Sequence, residues 1–305
     1  MHSVFEEIQA RGDHVRASKG WNKEIMGVLL ELTDPRARLS KTESRGKLFS
    51  CLGQLCWYLA KSNDLDFISY YLKNYQRYAD GDVIYGGYGP RLFNWGGLNQ
   101  VANITKLLNE KRTTRQAVIQ LFDAHDIVAE PEEIPCTCTL QFLVRDSKLH
   151  MFTSMRSNDV VWGLPHDLFC FTMLQEIIAR ELKLEVGTYK HAVGSLHLYD
   201  DKTEEAESFL KEGFQSREPM PPMPIGDPWP SIRFLLEAES ALRTGREFLS
   251  AELTKIDPYW GDLVRLLQVF KAREQGDDNT IENVRRNMAS EIYLPFIKSV
   301  RSELK

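Results

Sequence analysis

The sequence predicts an α+β protein, and three observations carry that expectation. Apolar residues recur at helical spacing from Gly46 to Ala79, β-like runs fill much of Thr114 to Ser157, and a proline-rich break at 216–230 precedes a charged, periodic C-terminal stretch. At 305 residues with 43% apolar and 27% charged residues, the chain can bury a sizeable core as one large domain or two small ones.

Taken in order, GKLFSCLGQLCWYLAK (46–61) predicts one helix, and NDLDFISYYLKNYQRYA (63–79) predicts a second that opens on an Asn-Asp cap. The glycine- and aromatic-rich DVIYGGYGPRLFNWGG (82–97) reads as a loop where backbone can approach a ligand. TRQAVIQLFDA (114–124) and TCTLQFLVRDSKLHMFTSMRS (137–157) read as strands, the latter a pair joined by an Arg-Asp-Ser turn. After Gly163-Leu164-Pro165, the run from Asp167 is expected to be a long buried helix ending near Gly187, with a further strand at 189–200. Six prolines between Ser216 and Pro230 exclude regular structure there and give the best boundary, dividing 1–230 from a helical extension at 231–305.

The net charge of −5 argues against a general nucleic-acid binder and leaves a small anionic ligand as the expected partner. There is no apolar run of membrane-spanning length, and the N-terminus lacks the pattern of a secretory signal, so a cytoplasmic location and no membrane partner are expected. Five cysteines in a sparse, odd set predict reduced thiols and no structural metal.

Cys136 opens a β-like run and Arg156 closes the next, so a hairpin could bring thiol and guanidinium together and favour the reactive thiolate. The structural alternative is a half-buried cysteine acting as a small hydrophobe. Asp167 offers a carboxyl group able to accept from an amino group such as that of cytosine, whereas an amide there would match uracil. Equally, Asp is a good cap for a helix starting at Leu168.

Pro135-Cys136, Gln141-Phe142, Arg156-Ser157-x-Asp159, Gly163-Leu164-Pro165 and Gly194-x-x-His197-x-Tyr199 resemble, in order and spacing, the thymidylate synthase family. The likeness runs from about Leu32 to Pro224 and includes Tyr85-Gly86 and Ser216-Arg217-Glu218-Pro219. Cys136-Thr-Cys-Thr-Leu-Gln141 followed by Met155 to Val161, with an acid at 167, is similar to the phage cytidylate hydroxymethylase branch. That resemblance implies a large mixed sheet with flanking helices, a homodimer built on it, and hydroxymethyl transfer to C5 of CMP or dCMP from 5,10-methylenetetrahydrofolate. It further implies Cys136 as nucleophile, Arg156 and Ser157 at the nucleotide phosphate, Asp159 at the base and cofactor, and His197 and Tyr199 at the sugar. Tyr85 would line the wall by the nucleophile, Asp167 would read the base, Arg115 would reach the partner's phosphate, and Arg36 and Arg38 would form a phosphate-binding arm. Read without the resemblance, Asp159 could cap a turn, His197 could be a core histidine, and Arg36 and Arg38 could be solvated surface. The other four cysteines read as structural, and His166 as a rim residue.

Two departures stand beside the resemblance. Gln54 occupies the place of the family's proton-managing glutamate in Gln54-Leu55-Cys56-Trp57, and glutamine cannot titrate. Another proton relay, a nucleotide-binding protein without turnover, or a deliberate Glu-to-Gln change each fit it. From about Ile232 the chain continues as helices where the family ends in a short segment closing over folate, and a methylating synthase or a non-catalytic nucleotide sensor stay as rival readings.

Overall fold

The computed structural model describes residues 1–39, 47–128, 131–212, 217–248 and 250–297. Ser216 of the Ser-Arg-Glu-Pro motif lies outside them. Helix α1 (His2–Arg11) leads into a hairpin of β1 (Asp13–Ala17) and β2 (Gly20–Leu32), followed by helices α2 (Leu48–Leu59), α3 (Leu65–Tyr71), α4 (Tyr88–Phe93) and α5 (Gln100–Glu110). Strands β3 (Val118–Gln120), β4 (Thr137–Arg145) and β5 (Lys148–Asp159) precede the long helix α6 (Gly163–Glu181) and strand β6 (Glu185–Tyr199). Helix α7 (Thr203–Lys211) and then α8 (Trp229–Arg243), α9 (Pro258–Gln275) and α10 (Asp278–Arg286) complete the described chain.

The six strands form one mixed sheet in the order β1-β2-β6-β5-β4-β3, antiparallel except for the parallel pair β5 and β6. A parallel pair needs a crossover, and α6 supplies it. The β4–β5 hairpin turns on Asp146 and Ser147, both with positive φ, as a tight two-residue connection between twisted strands requires. Asp64 caps α3 by accepting from Phe67 N at 2.6 Å, which is the cap the sequence predicts.

One face of the sheet carries α2 and α6, and their apolar side chains, among them Leu52, Leu55, Met173 and Ile177, merge with Leu263, Val264 and Leu267 of α9 in a single core. The C-terminal helices are therefore packed into the main body through an apolar seam. Along β5 and β6 buried residues alternate with half-buried ones, so the opposite face of the sheet is only partly covered.

Two local expectations are corrected, and one region carried none. The segment 82–97 contains helix α4, because Tyr88, Leu92 and Phe93 supply an apolar face that the core accepts. Helix α6 ends at Glu181 rather than near Gly187: Lys183 adopts a left-handed conformation that stops it, and Gly187 lies in β6, where a Cβ would fall 2.7 Å from the His150 ring. The N-terminal hairpin and α1 carry no strong period in sequence; β2 is half-exposed along most of its length, so it shows no clean alternation.

Candidate functional site

The site lies where β5 and β6 end together, at the entrance to α6. Cys136 sits just before β4, and its carbonyl accepts from Arg156 N at 2.8 Å, so the hairpin sets the two residues opposite each other with the guanidinium in electrostatic reach of the thiol. Cys138 forms a bulge, with Thr137 opposite Met155 and Thr139 opposite Ser154, which bends the strand next to the thiol. Burial pushes the Cys136 thiol up to about 11, against the opposing pull of Arg156. The resting group is therefore a thiol, and desolvation outweighs the cation that sequence reasoning relied on.

Arg156 is already engaged. Its Nε donates to Pro135 O at 3.0 Å, and Nη2 donates to Ile134 O at 3.0 Å and to Glu133 Oε1 at 3.2 Å. Glu133 also takes Lys19 from the β1–β2 turn as an ion-pair partner. A carboxylate thus stands between two cations in the place expected for an anionic ligand, and an incoming anion must compete with it. Neither Glu133 nor Lys19 is marked by any motif; only the fold brings 19 and 133 together.

Asp167 lies inside α6, four residues past its start, so it does not cap that helix. Only 7% exposed, it accepts at Oδ2 from Asn158 Nδ2 at 2.6 Å. Burial raises its carboxyl to about 7, with the Asn158 hydrogen bond acting in the opposite direction. Gly163 makes room for this pair: a Cβ there would sit 3.0 Å from Asn158 Nδ2. Asp159 caps the turn into α6 by accepting at Oδ1 from Val161 N, at 2.9 Å, and from Trp162 N, while its Oδ2 is buried without a partner. The turn-capping role and a ligand role are therefore compatible in one side chain.

Gln54 is buried on α2, donating to Tyr58 Oη at 2.6 Å and accepting from Tyr75 Oη at 3.3 Å. Tyr75 and Tyr88 both lie within electrostatic reach of Cys136 and Asp167, and Tyr88 Oη also accepts from Thr137 N at 3.0 Å. The tyrosines by the thiol are thus half-buried Tyr75 and buried Tyr88. Tyr85 lies instead against Arg91, 5.2 Å from ring centroid to guanidinium carbon. Across the parallel pair, Ser157 Oγ and His197 Nδ1 are 3.5 Å apart, and the His197 ring meets Tyr199 edge-on at 4.9 Å.

The remaining expected residues stand apart from this cluster. Arg38 is fully buried in an ion pair with Glu176 of α6, whose other oxygen accepts from Met223 N at 3.0 Å. Arg36 reaches Met220 O at 3.5 Å, so this arm is stitched to the proline-rich segment. Arg115 is exposed just before the edge strand β3, and its carbonyl accepts from Gln141 Nε2 at 2.9 Å. His166 is corrected from rim to interior: it is 3% exposed and hydrogen-bonded to Ser50 Oγ at 2.9 Å and Trp162 O at 2.7 Å. Cys51, Cys56 and Cys170 are buried, and Cys138 is half-buried. No described helix is long and apolar enough to cross a membrane.

Chemically, the cluster offers a thiol next to a cation, a carboxyl poised near neutrality, and a tyrosine-glutamine chain at its back. Comparison with known proteins agrees with the motif reading at the level of family. The family model described as thymidylate synthase matches residues 31–233. The chain is 30% identical over 214 residues to a deoxyuridylate hydroxymethyltransferase of Bacillus phage SP01, covering 65% of this chain and 56% of that protein. It is 24% identical over 214 residues to the protein of the same name from Delftia phage PhiW-14, covering 65% and 59%. With the one from Pseudomonas phage M6 it shares 29% over 157 residues, covering 50% and 45%. The chain thus matches about half the length of these relatives, which are named for deoxyuridylate and not for the cytidylate expected from the sequence. On the strength of the matched span, this chain belongs to the thymidylate synthase family.

Proposed function

We propose that the protein is a pyrimidine nucleoside monophosphate C5-hydroxymethyltransferase acting on CMP or dCMP, working as a cytoplasmic homodimer. The observation that carries the proposal is the convergence of the Cys136 thiol, the Arg156 guanidinium and the buried Asp167 carboxyl at one end of the β5–β6 pair.

In this reading the nucleotide phosphate displaces Glu133 from Arg156, with Ser157 beside it, and His197 and Tyr199 meet the sugar. Arg156 keeps its place beside Cys136 through this exchange, and its charge favours the thiolate over the thiol. Addition of that thiolate to C6 makes C5 nucleophilic. Asp167 accepts from the 4-amino group of cytosine, a contact that sets acceptor against acceptor when uracil O4 takes its place. The net change replaces the C5 hydrogen by hydroxymethyl, whose oxygen comes from water, and regenerates the thiol. When bound, 5,10-methylenetetrahydrofolate supplies the one-carbon unit at the oxidation level of formaldehyde. The residues present fit such a flat, N–H-rich ring: Asp159 keeps a buried oxygen without a partner, and Trp162 beside it exposes 38% of its surface. Gln54, hydrogen-bonded to Tyr58 and Tyr75, orients this chain of groups and leaves proton movement to the tyrosines and water. The half-covered sheet face is the surface on which the homodimer would close, with Arg115 offered toward the neighbouring site.

Two other readings rest on specific observations. The names of the phage relatives favour deoxyuridylate as substrate, and Gln54 favours a nucleotide-binding protein without turnover. Incubation with CMP, dCMP, UMP and dUMP, each with methylenetetrahydrofolate, separates them. Hydroxymethylated cytidine nucleotide is expected; product from dUMP alone supports the relatives' substrate and overturns the proposal. Tight nucleotide binding with neither product nor tritium release from a 5-tritiated nucleotide supports the non-catalytic reading.

A further inference from the structure

Asn158 precedes the turn-capping Asp159 and was drawn into no role by the sequence. Its side chain is only 4% exposed. The amide nitrogen donates to Asp167 Oδ2, and its oxygen, Oδ1, is buried with no hydrogen-bond partner. Among the described residues no hydrogen bond reaches Asp167 Oδ1 either. One N–H of the Asn158 amide is thus engaged by the acid, and Asn158 Oδ1 and Asp167 Oδ1 remain as oxygens able to accept.

A carboxyl group alone does not choose between the pyrimidines. Protonated, it offers one donor and one acceptor, and that pair can match either the N3 and 4-amino edge of cytosine or the O4 and N3–H edge of uracil. Ionised, it accepts only. A neighbour that donates to the carboxylate therefore does more than position it, because it favours the form that rejects a carbonyl oxygen.

We propose that Asn158 sets the base preference of the site, by engaging Asp167 Oδ2 and presenting, with Asp167 Oδ1, a two-acceptor corner that takes an exocyclic amino group and excludes an exocyclic oxygen. This rests on the reading of Asp167 as the base-facing residue. The groups facing Asp167 do not supply the same effect. Cys51 and Tyr58 of α2, Tyr75, Tyr88 of α4, Cys136, Cys170 of its own helix and Tyr189 of β6 are within electrostatic reach, and burial raises the pKa of every one of them, so all are neutral at neutral pH. Asn158 is thus the polar neighbour that acts on the charge state of the acid. It acts in two ways, holding Asp167 Oδ2 through its amide nitrogen and offering its own oxygen to the base edge.

The test measures dissociation constants of CMP and UMP between pH 6 and 8.5 for the wild-type protein, Asn158→Ala, Asn158→Ser and Asp167→Asn. Binding avoids any dependence on turnover or folate. For the wild type, preference for CMP is expected to grow as pH rises through the titration of Asp167 near 7. Loss of one hydrogen bond to a charged group should move that rise upward by about one pH unit and lower the CMP preference at pH 7 by roughly threefold to tenfold in both Asn158 variants. The serine variant keeps a small polar group, so it reports even if alanine unfolds the corner. An unchanged preference and midpoint in a folded Asn158 variant, while Asp167→Asn loses the preference, overturns this inference alone. If Asp167→Asn leaves the preference intact, the base-edge reading itself fails.

Discussion

Asp167 should cost the protein stability, and that cost can be measured without any ligand. Its carboxyl is raised from 3.8 to about 7 by burial. The folded state therefore holds a proton that the unfolded chain has released, and stability falls as pH climbs from about 4 to about 7 and stays low above it. A shift of about three units at 1.36 kcal/mol each sets a ceiling of roughly 4 kcal/mol at pH 8. Asp167→Asn removes the titration and can keep its oxygen on Asn158 Nδ2, so about 2–4 kcal/mol should be recovered there. For a chain of 305 residues that corresponds to roughly 3–6 °C in melting temperature. Thermal melts of both proteins at pH 5 and pH 8 are the assay: the variant should melt higher at pH 8, with most of the difference gone at pH 5. Equal melting temperatures at pH 8, or an offset that ignores pH, would refute the view of Asp167 as a buried acid retained at the expense of stability for a site.

Other expectations follow from the same geometry. Glu133→Gln frees Arg156 from a partly exposed carboxylate, so nucleotide monophosphates should bind up to about fivefold tighter, consistent with a surface ion pair of about 1 kcal/mol or less; isothermal titration reads it. Arg38→Met leaves Glu176 buried with Arg180, at 3.8 Å, as its remaining cationic neighbour, and should destabilise the fold by up to about 3–5 kcal/mol in urea unfolding. If Arg38 were a phosphate ligand, the same variant would instead weaken nucleotide binding with stability intact. Gln54→Glu introduces a titratable group beside Tyr58 and Tyr75 and should raise turnover by about 10²-fold or more if proton transfer is limiting, read as kcat on CMP.

Much of the fold was legible where one period dominates. The β4–β5 hairpin and its Arg-Asp-Ser turn, α2, and the Asp64 cap of α3 are written in local residues, and the structure has each of them. The β1–β2 hairpin was not legible because its strands are exposed on much of both faces and carry no alternation. In the site, the family resemblance pointed to Cys136, Arg156, Asp159 and Asp167, which the fold brings to one end of the β5–β6 pair. Lys19, Glu133 and Asn158 escaped because their importance lies in partners: Lys19 meets Glu133 from 114 residues away. Arg38 shows the reverse, since a cation in a promising motif is spent on Glu176, a pairing that only the packing of α6 reveals.

The central claim is that the Cys136 sulfur bonds to C6 of a cytidine nucleotide. A cytidine monophosphate carrying fluorine at C5 cannot release that position as a proton, so an adduct built on the sulfur should persist. Intact mass spectrometry after incubation with methylenetetrahydrofolate should show the protein heavier by nucleotide plus folate, with the label on the peptide containing Cys136 and absent in Cys136→Ser. An unmodified mass under conditions where the natural nucleotide is hydroxymethylated, or a label on any other residue, would contradict the account.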